Sequence, residues 1–234
     1  MEKLLNELVQ RLQEAYGGDL VSVVLYGSGA SGDHHAQFSD LNVICILKQV
    51  GVAELRKGEK AMQWWVKQKQ PAPLLLSAEE VREAQDVFPI ESLDIHQSHR
   101  VLHGEDLFSR IGVERTNHRW QVEHELRSSL LRLRQRYLSV HPNEKEVVQL
   151  MAKSLATVAT LARHALILAG EAAPARKREV LEAAAERFGL DPESFRAVLG
   201  VREGTEKLTG ERVHSLFAAL LEQVRKLAQA VDRL

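Results

Sequence analysis

YGSGASGDHHAQFSDLN, residues 26–42, is the stretch that decides the fold. One apolar run, residues 20–26, leads into it, and a second, residues 43–47, follows it. Apolar runs of this length bounded by Gly and Ser are typical of buried strands. We therefore interpret the segment as a strand, a tight turn at Gly27 and Ser28, a loop of small and polar residues, and a second strand.

The turn and the start of the second strand carry polar groups suited to a charged ligand. Backbone N–H groups at the Gly27-Ser28 turn would be bare and would suit a phosphate. Asp40 and Asn42 stand two residues apart, so on a strand their side chains share one face. Carboxylate and amide oxygens are ligands that Mg²⁺ accepts. The pattern predicts a nucleotide site in which a phosphate cradle faces a pair of metal ligands.

This segment resembles the signature of the nucleotidyltransferase superfamily, which includes DNA polymerase beta, the kanamycin and streptomycin adenylyltransferases and small toxin–antitoxin nucleotidyltransferases. In that superfamily a strand ends in Gly-Ser, and an acidic–apolar–acidic triplet follows on the next strand. The corresponding triplet here is Asp40-Leu41-Asn42. The resemblance implies an α/β (α+β) nucleotidyltransferase fold with a small mixed sheet. An ordinary strand–loop–strand with a polar rim is the alternative.

The resemblance also assigns roles to individual residues. Gly27 and Ser28 would hold the triphosphate, and Asp40 would bind metal and act in catalysis. The superfamily carries a third acidic residue on a later strand. Residues 90–96 alternate polar and apolar side chains, so we interpret them as that strand and Asp94 as the third acid. Glu91 is the competitor, although it would share a face with two apolar residues.

Asn42 departs from the superfamily pattern, because the second acidic position carries an amide. Its carbonyl oxygen can coordinate Mg²⁺ but brings no charge, so the affinity for the metal should fall. Two interpretations follow. The protein either remains an enzyme with a single ion or a weaker second one, or it keeps the fold and nucleotide binding without transfer.

Composition narrows the class of protein. The chain has 234 residues and a formal net charge of −1, without the basic excess that a general nucleic-acid-binding surface requires. A single cysteine, Cys45, lies within an apolar run and is expected to be a buried hydrophobe. We see no signal peptide and no apolar run of membrane-spanning length. A cytoplasmic protein without membrane or nucleic-acid partners is expected.

The rest of the first 112 residues mixes helices and strands. Helices are predicted over residues 2–16 and 50–68, and a short buried strand over residues 74–76. Ser77 and Glu80 have the spacing of a capping box. Residues 101–108, VLHGEDLF, resemble the segment that closes the catalytic domain of aminoglycoside adenylyltransferase-like proteins. We place the boundary near Gly112, giving a nucleotidyltransferase-like domain over residues 1–112.

Helical periodicity dominates residues 113–234, which we predict to be a C-terminal helical bundle with the nucleotide cleft between the two domains. An apolar face of the bundle could support a homodimer. One predicted helix, residues 144–168, is largely apolar and should lie at the centre of the bundle, and Asp191 and Pro192 are expected to start a later helix.

Lys153 and Arg163 lie on this largely apolar helix, where a charge needs a partner or a ligand, so Lys153 is a candidate phosphate contact. Glu123 and Glu125 are candidate bases, with a favourable place near a helix N-terminus as the alternative.

Histidines offer a further set of candidates. His34 and His35 stand together in the loop and could contact phosphates, whereas His96, His99 and His103 cluster near the domain boundary. Neither group has the ligand spacing of a zinc site.

Taken together, the sequence predicts Mg²⁺-dependent transfer of a nucleoside monophosphate from a nucleoside triphosphate, with ATP the expected one, to a hydroxyl of an unidentified small molecule or protein. A non-catalytic nucleotide-binding or protein-interaction module on the same fold is the alternative.

Overall fold

The chain forms two compact units, Met1–Glu114 and Arg115–Leu234. The structure, a computed structural model, describes residues 1–30 and 41–234. Within these ranges, no helix is both long enough and apolar enough to cross a membrane.

The first unit is built on a four-stranded mixed sheet. Its strands are β1 (Leu20–Tyr26), β2 (Asn42–Leu47), β3 (Leu74–Ser77) and β4 (His99–Gly104), in the order β3-β2-β1-β4. β1 is antiparallel to both β2 and β4, and β2 is parallel to β3. The strand–turn–strand interpretation of residues 20–47 is therefore confirmed for both strands, and so is the small mixed sheet.

Within the described residues the first unit also has five helices, four of which pack on the two faces of this sheet. They are α1 (Glu2–Tyr16), α2 (Val52–Lys57), α3 (Glu59–Lys67), α4 (Ala78–Glu83) and α5 (Pro89–Gln97). On one face, Leu8 of α1 and Trp65 of α3 belong to the same buried cluster as Cys45 of β2. On the other face, Ile44 of β2 packs with Val81 of α4 and Ile95 of α5. Because both faces are covered, β1 and β2 are apolar nearly throughout.

Residues 90–96 form part of α5, so the strand predicted there is wrong. Pro89 occupies the first helical position, where its fixed φ suits a helix and its missing N–H costs nothing. Ser92 and Ile95 are both buried and stand three residues apart, which is the spacing of one helical face rather than of a strand. The fourth strand begins only at His99, so Asp94 lies on a helix.

The single helix predicted over residues 50–68 is in fact two helices, α2 and α3, which meet at Gly58. A Cβ atom at this position would lie 2.0 Å from the hydroxyl oxygen of Tyr16. Only glycine lets the junction pass this close to the end of α1.

Tyr16 is 4% exposed, and its hydroxyl has no hydrogen-bond partner among the residues that the structure describes. Burial, with the neighbouring Cys45 and Glu54 adding to it, raises the pKa of Tyr16 to about 12. Because a buried unpaired hydroxyl is costly, we expect Tyr16→Phe to raise the free energy of unfolding by about 1 kcal/mol. Denaturant-induced unfolding measures this change.

Tyr137→Phe is the matched control for Tyr16→Phe. The hydroxyl of Tyr137 lies 2.9 Å from Nδ1 of His214, so its removal breaks a hydrogen bond and should lower stability. A loss of stability in Tyr16→Phe would contradict the unpaired state of that hydroxyl.

The second unit is entirely helical, as predicted. Its helices are α6 (Arg115–Val140), α7 (Glu144–Leu168), α8 (Lys177–Phe188), α9 (Pro192–Glu203) and α10 (Glu211–Asp232). The other four helices all pack against α7, which confirms its predicted place at the centre of the bundle. Asp191 caps α9, because its carboxylate accepts hydrogen bonds from the N–H groups of Glu193 and Ser194.

Candidate functional site

The site predicted from the sequence centres on the bend that follows β1. Gly27 has a φ of +72°, in the left-handed region that favours glycine. A single 3₁₀ turn then runs from Gly27 to Gly29, closed by a 2.9 Å hydrogen bond from the Ala30 N–H to the Gly27 carbonyl. This hydrogen bond does not use the N–H of Ser28, whereas Gly29 is buried, and a Cβ atom there would lie 3.3 Å from Cδ2 of Leu41.

Asn42 lies beside this bend. It pairs with Tyr26, the last residue of β1, in the antiparallel ladder. A Cβ atom at Gly27 would lie 3.5 Å from Nδ2 of Asn42, so the amide side chain stands directly next to the Gly27 backbone. The backbone just before Asn42 is also fixed, because the Leu41 N–H donates a 2.8 Å hydrogen bond to Oε1 of Gln70.

Ser98 holds the bend from the other side. The Gly27 N–H donates to the Ser98 carbonyl at 3.1 Å, and the Ser98 hydroxyl donates to the Gly27 carbonyl at 3.3 Å. The expectation that every N–H of the turn would be bare is therefore wrong for Gly27. An anion site here would rest on the N–H group of Ser28.

His99, the first residue of β4, continues the same row of the sheet. Tyr26 faces Asn42 on one side and His99 on the other, so the three side chains share a sheet face. Nδ1 of His99 lies 2.8 Å from the Ile95 carbonyl oxygen, and its Nε2 lies 3.0 Å from Oδ1 of Asp106.

Asp106 lies after β4 in the chain, and its carboxylate accepts several hydrogen bonds. Its Oδ1 accepts hydrogen bonds from the N–H groups of Phe108 at 3.0 Å and Ser109 at 2.9 Å, in addition to the contact with His99. Burial raises the pKa of the Asp106 carboxyl, but the Ser109 and His99 contacts outweigh it, so the pKa lies below its ordinary value. Asp106 is therefore a stable carboxylate next to the imidazole of His99.

Asp94 is connected to the bend from helix α5 and not from the strand that the sequence predicted. Its backbone carbonyl accepts the N–H of Ser98 at 3.0 Å, one helical turn further along. Ser98 in turn contacts Gly27. Asp94 is half-buried and Glu91 is exposed, both on α5. The end of α5 thus connects Asp94 to the bend through the backbone of Ser98.

Asp40 lies outside the described residues, as do His34 and His35. Their predicted roles remain predictions. Within residues 1–30 and 41–234, no three His, Cys, Asp or Glu side chains form a group that could hold a metal ion.

The candidate residues of the second unit differ in their exposure and in their contacts. Lys153 is exposed on α7, and Arg163 lies 3.3 Å from Nε2 of the neighbouring His164. Glu123 forms ion pairs with Arg127 and Arg119, and the Arg127 hydrogen bond is the main reason why its pKa lies below the ordinary value. A carboxylate stabilised in this way is a weak base, which favours the structural interpretation of Glu123.

The four-stranded mixed sheet, the glycine bend after β1 and the helical second unit define a nucleotidyltransferase fold with a C-terminal helical domain. The chain is similar to the spectinomycin adenyltransferase AAD(9) from Enterococcus faecialis, whose crystal structure contains ATP and spectinomycin. The likeness covers 96% of this chain and 99% of that one, with a TM-score of 0.59 and 13% identity. At 13% identity the similarity shows a shared fold.

A toxin–antitoxin structure with AMP-PNP is also similar, over 44% of this chain and 80% of that one, with a TM-score of 0.31 and 16% identity. No model of a protein family matches the sequence, and no curated protein sequence matches it either.

Ser98 and Asp106 were not predicted as residues of the site, and His99 was considered only as one of the histidines near the domain boundary. Their contacts join the end of α5, β4 and the segment after it to the bend, and local sequence patterns do not encode such contacts. The VLHGEDLF string, which contains Asp106, was the one available signal.

Proposed function

We propose that this protein binds a nucleoside triphosphate at the Gly27–Ser28 bend and transfers its nucleoside monophosphate to a hydroxyl group. The observation that carries the proposal is the Asn42 side chain beside the left-handed Gly27 backbone, at the end of two paired strands. ATP is the expected nucleotide, because the similar spectinomycin adenyltransferase was solved with ATP. The acceptor is a small molecule or a protein.

Each group at the bend has a task in this proposal. The N–H group of Ser28 donates to a phosphate oxygen, as backbone N–H groups do in anion-binding turns. The Gly27 N–H donates to the Ser98 carbonyl, which fixes the backbone that presents the Ser28 N–H.

Mg²⁺ fits the chemistry of the donor set. Asn42 offers an amide oxygen at the bend, and Asp40 and Asp94 offer carboxylates, all hard oxygen ligands. When bound, Mg²⁺ neutralises negative charge on the phosphates. Asp94 is the proposed third acid and would also accept the proton of the attacking hydroxyl, now from a helix rather than from a strand.

One specific observation favours the alternative function. Asn42 carries no charge, so the site has one negative charge fewer than the superfamily signature provides. A protein with this site could bind a nucleotide without transferring it, and act as a nucleotide-dependent interaction module.

Two measurements separate these functions. Calorimetric titration with ATP, with and without Mg²⁺, reports binding, and a pyrophosphate assay across a panel of hydroxyl acceptors reports transfer. We expect Mg²⁺-dependent ATP binding and pyrophosphate release that depends on the acceptor. Binding without release across the panel would support the non-catalytic alternative, and no binding at all would contradict both.

Asn42→Asp restores the charge of the superfamily signature. If the side chain faces the cation, we expect the dissociation constant for Mg²⁺ in the presence of ATP to fall at least about tenfold, because a unit charge a few ångströms from the ion attracts it strongly. Calorimetric titration with Mg²⁺ at constant ATP measures the change.

Asn6→Asp is the matched control, since it adds the same charge at an exposed position of α1. Affinity for Mg²⁺ should change less than about twofold in this variant. Equal effects of the two substitutions would show that Asn42 does not face the cation.

A further inference from the structure

The ring of His99 connects two parts of the first unit. One ring nitrogen lies by the Ile95 carbonyl of α5 and the other by the carboxylate of Asp106, beyond β4. Both oxygens are acceptors, so each contact is a hydrogen bond only when the facing nitrogen carries a proton. The side chain of His99 is 11% exposed.

We propose that His99, oriented by Asp106, is a positioning residue for the Gly27–Ser28 bend and acts on it through Ser98. The inference rests on the proposed function, because it makes phosphate binding at the bend depend on a histidine that does not touch the phosphate.

The path from His99 to the bend is short. Ser98 is its neighbour in the chain and makes both hydrogen bonds to the backbone of Gly27. His99 also faces Tyr26 in the ladder, so Tyr26 and Gly27, the two residues at the β1–bend junction, contact the consecutive residues His99 and Ser98. Fixing the backbone at His99 thus fixes the Ser98 carbonyl, which in turn sets the direction of the Gly27 N–H.

The orientation of His99 depends on groups that are themselves well held. Asp106 is anchored by the N–H groups of Phe108 and Ser109, so its carboxylate has a fixed position beside the His99 ring. Ile95 is buried in the cluster that covers this face of the sheet. His96 adds a second connection, because its Nδ1 lies 2.8 Å from the Phe108 carbonyl.

The competing explanation is that α5 positions Ser98 without help. The N–H of Ser98 already donates to the carbonyls of Asp94 and Ile95 at the end of that helix. In this case His99 would contribute to the stability of the unit but not to the geometry of the bend.

Hydrogen exchange at single amides separates the two explanations. We expect His99→Ala to accelerate exchange of the Gly27 N–H at least about tenfold, measured by NMR well below the melting temperature. Asp106→Ala should act in the same direction, and the double variant should exceed neither single variant by more than about twofold, because both remove one contact. Amides at the centre of β2 should keep their protection.

His103→Ala is the matched control. His103 is another histidine of β4, half-buried and 3.3 Å from Nε2 of Gln13, but it pairs with Val23 rather than with the end of β1. We expect the hydrogen-exchange rate of the Gly27 N–H in His103→Ala to stay within about twofold of the rate in the unsubstituted protein.

The affinity for ATP gives the functional result. We expect the dissociation constant for ATP to rise about tenfold in His99→Ala and to stay unchanged in His103→Ala. Unchanged Gly27 exchange, or unchanged ATP affinity in a His99→Ala protein that is folded, would overturn the inference. If the unsubstituted protein binds no ATP, the proposed function fails, and exchange at Gly27 alone decides whether His99 positions the bend.

Discussion

Asp40→Ala is expected to lower the rate of pyrophosphate release from ATP and Mg²⁺ at least about a hundredfold. Asp40 is the one residue of the Asp40-Leu41-Asn42 triplet that supplies a negative charge. Because Asn42 is neutral, the loss of Asp40 would leave the triplet without any charge for a cation. The measurement is steady-state pyrophosphate release with the acceptor that gives the highest rate in the unsubstituted protein.

Asp33→Ala provides the control for Asp40→Ala. Asp33 is a carboxylate of the same 26–42 stretch but stands outside the triplet. We expect the rate of pyrophosphate release by Asp33→Ala to stay within about threefold of the rate of the unsubstituted protein, as for a substitution away from the reacting groups. Equal losses in the two variants, or full activity of Asp40→Ala, would remove Asp40 from the site.

Gly104→Ala is expected to lower the free energy of unfolding of the first unit by about 3 kcal/mol or more. Gly104 is the last residue of β4 and has a φ of +79°. A Cβ atom there would lie 2.0 Å from the carbonyl oxygen of Val21. Because that neighbour is backbone of the adjacent strand, it can move aside only if the ladder between β1 and β4 shifts. Denaturant unfolding followed by the fluorescence of the buried Trp65 reports the change.

Gly112→Ala is the matched control for Gly104→Ala. A Cβ atom at Gly112 meets nothing within 4 Å, and its backbone does not have a positive φ. Stability should change by less than about 0.5 kcal/mol. A Gly104→Ala protein as stable as the Gly112→Ala protein would mean that the end of β4 is not held against β1 as described.

The elements that the sequence predicted well are those whose own residues specify them. β1 and β2 are continuous apolar runs because helices cover both faces of the sheet. Each run ends where the chain leaves the buried core. The central helix α7 begins and ends as predicted, because Asn143 caps it and its apolar residues run almost unbroken to Leu168. Asp191 and Pro192 marked the start of α9 in the same way.

The errors occurred where burial in the folded unit decides the structure. Residues 90–96 alternate polar and apolar side chains over too short a length to separate a strand from a helix, and Pro89 was the overlooked helix signal. The junction at Gly58 depends on the distant Tyr16, which no local pattern reveals.

The same distinction applies to the candidate site. Gly27 and Asn42 were predicted because the superfamily signature names them, and the structure brings these two together. Ser98, His99 and Asp106 follow the bend by about 70 residues or more, and Ser98 lies against Gly27 because of the pairing of β4 with β1 and the end of α5. Side chains that orient a site from a neighbouring strand carry no motif of their own.

The most direct test of the central claim is an NMR titration of the ¹⁵N-labelled protein with ATP in the presence of Mg²⁺. We expect saturable shifts that are largest at the backbone amides of Ser28 and Gly29 and at the side-chain amide of Asn42. An absence of shifts, or shifts that spare these three groups while residues elsewhere respond, would contradict nucleotide binding at the bend.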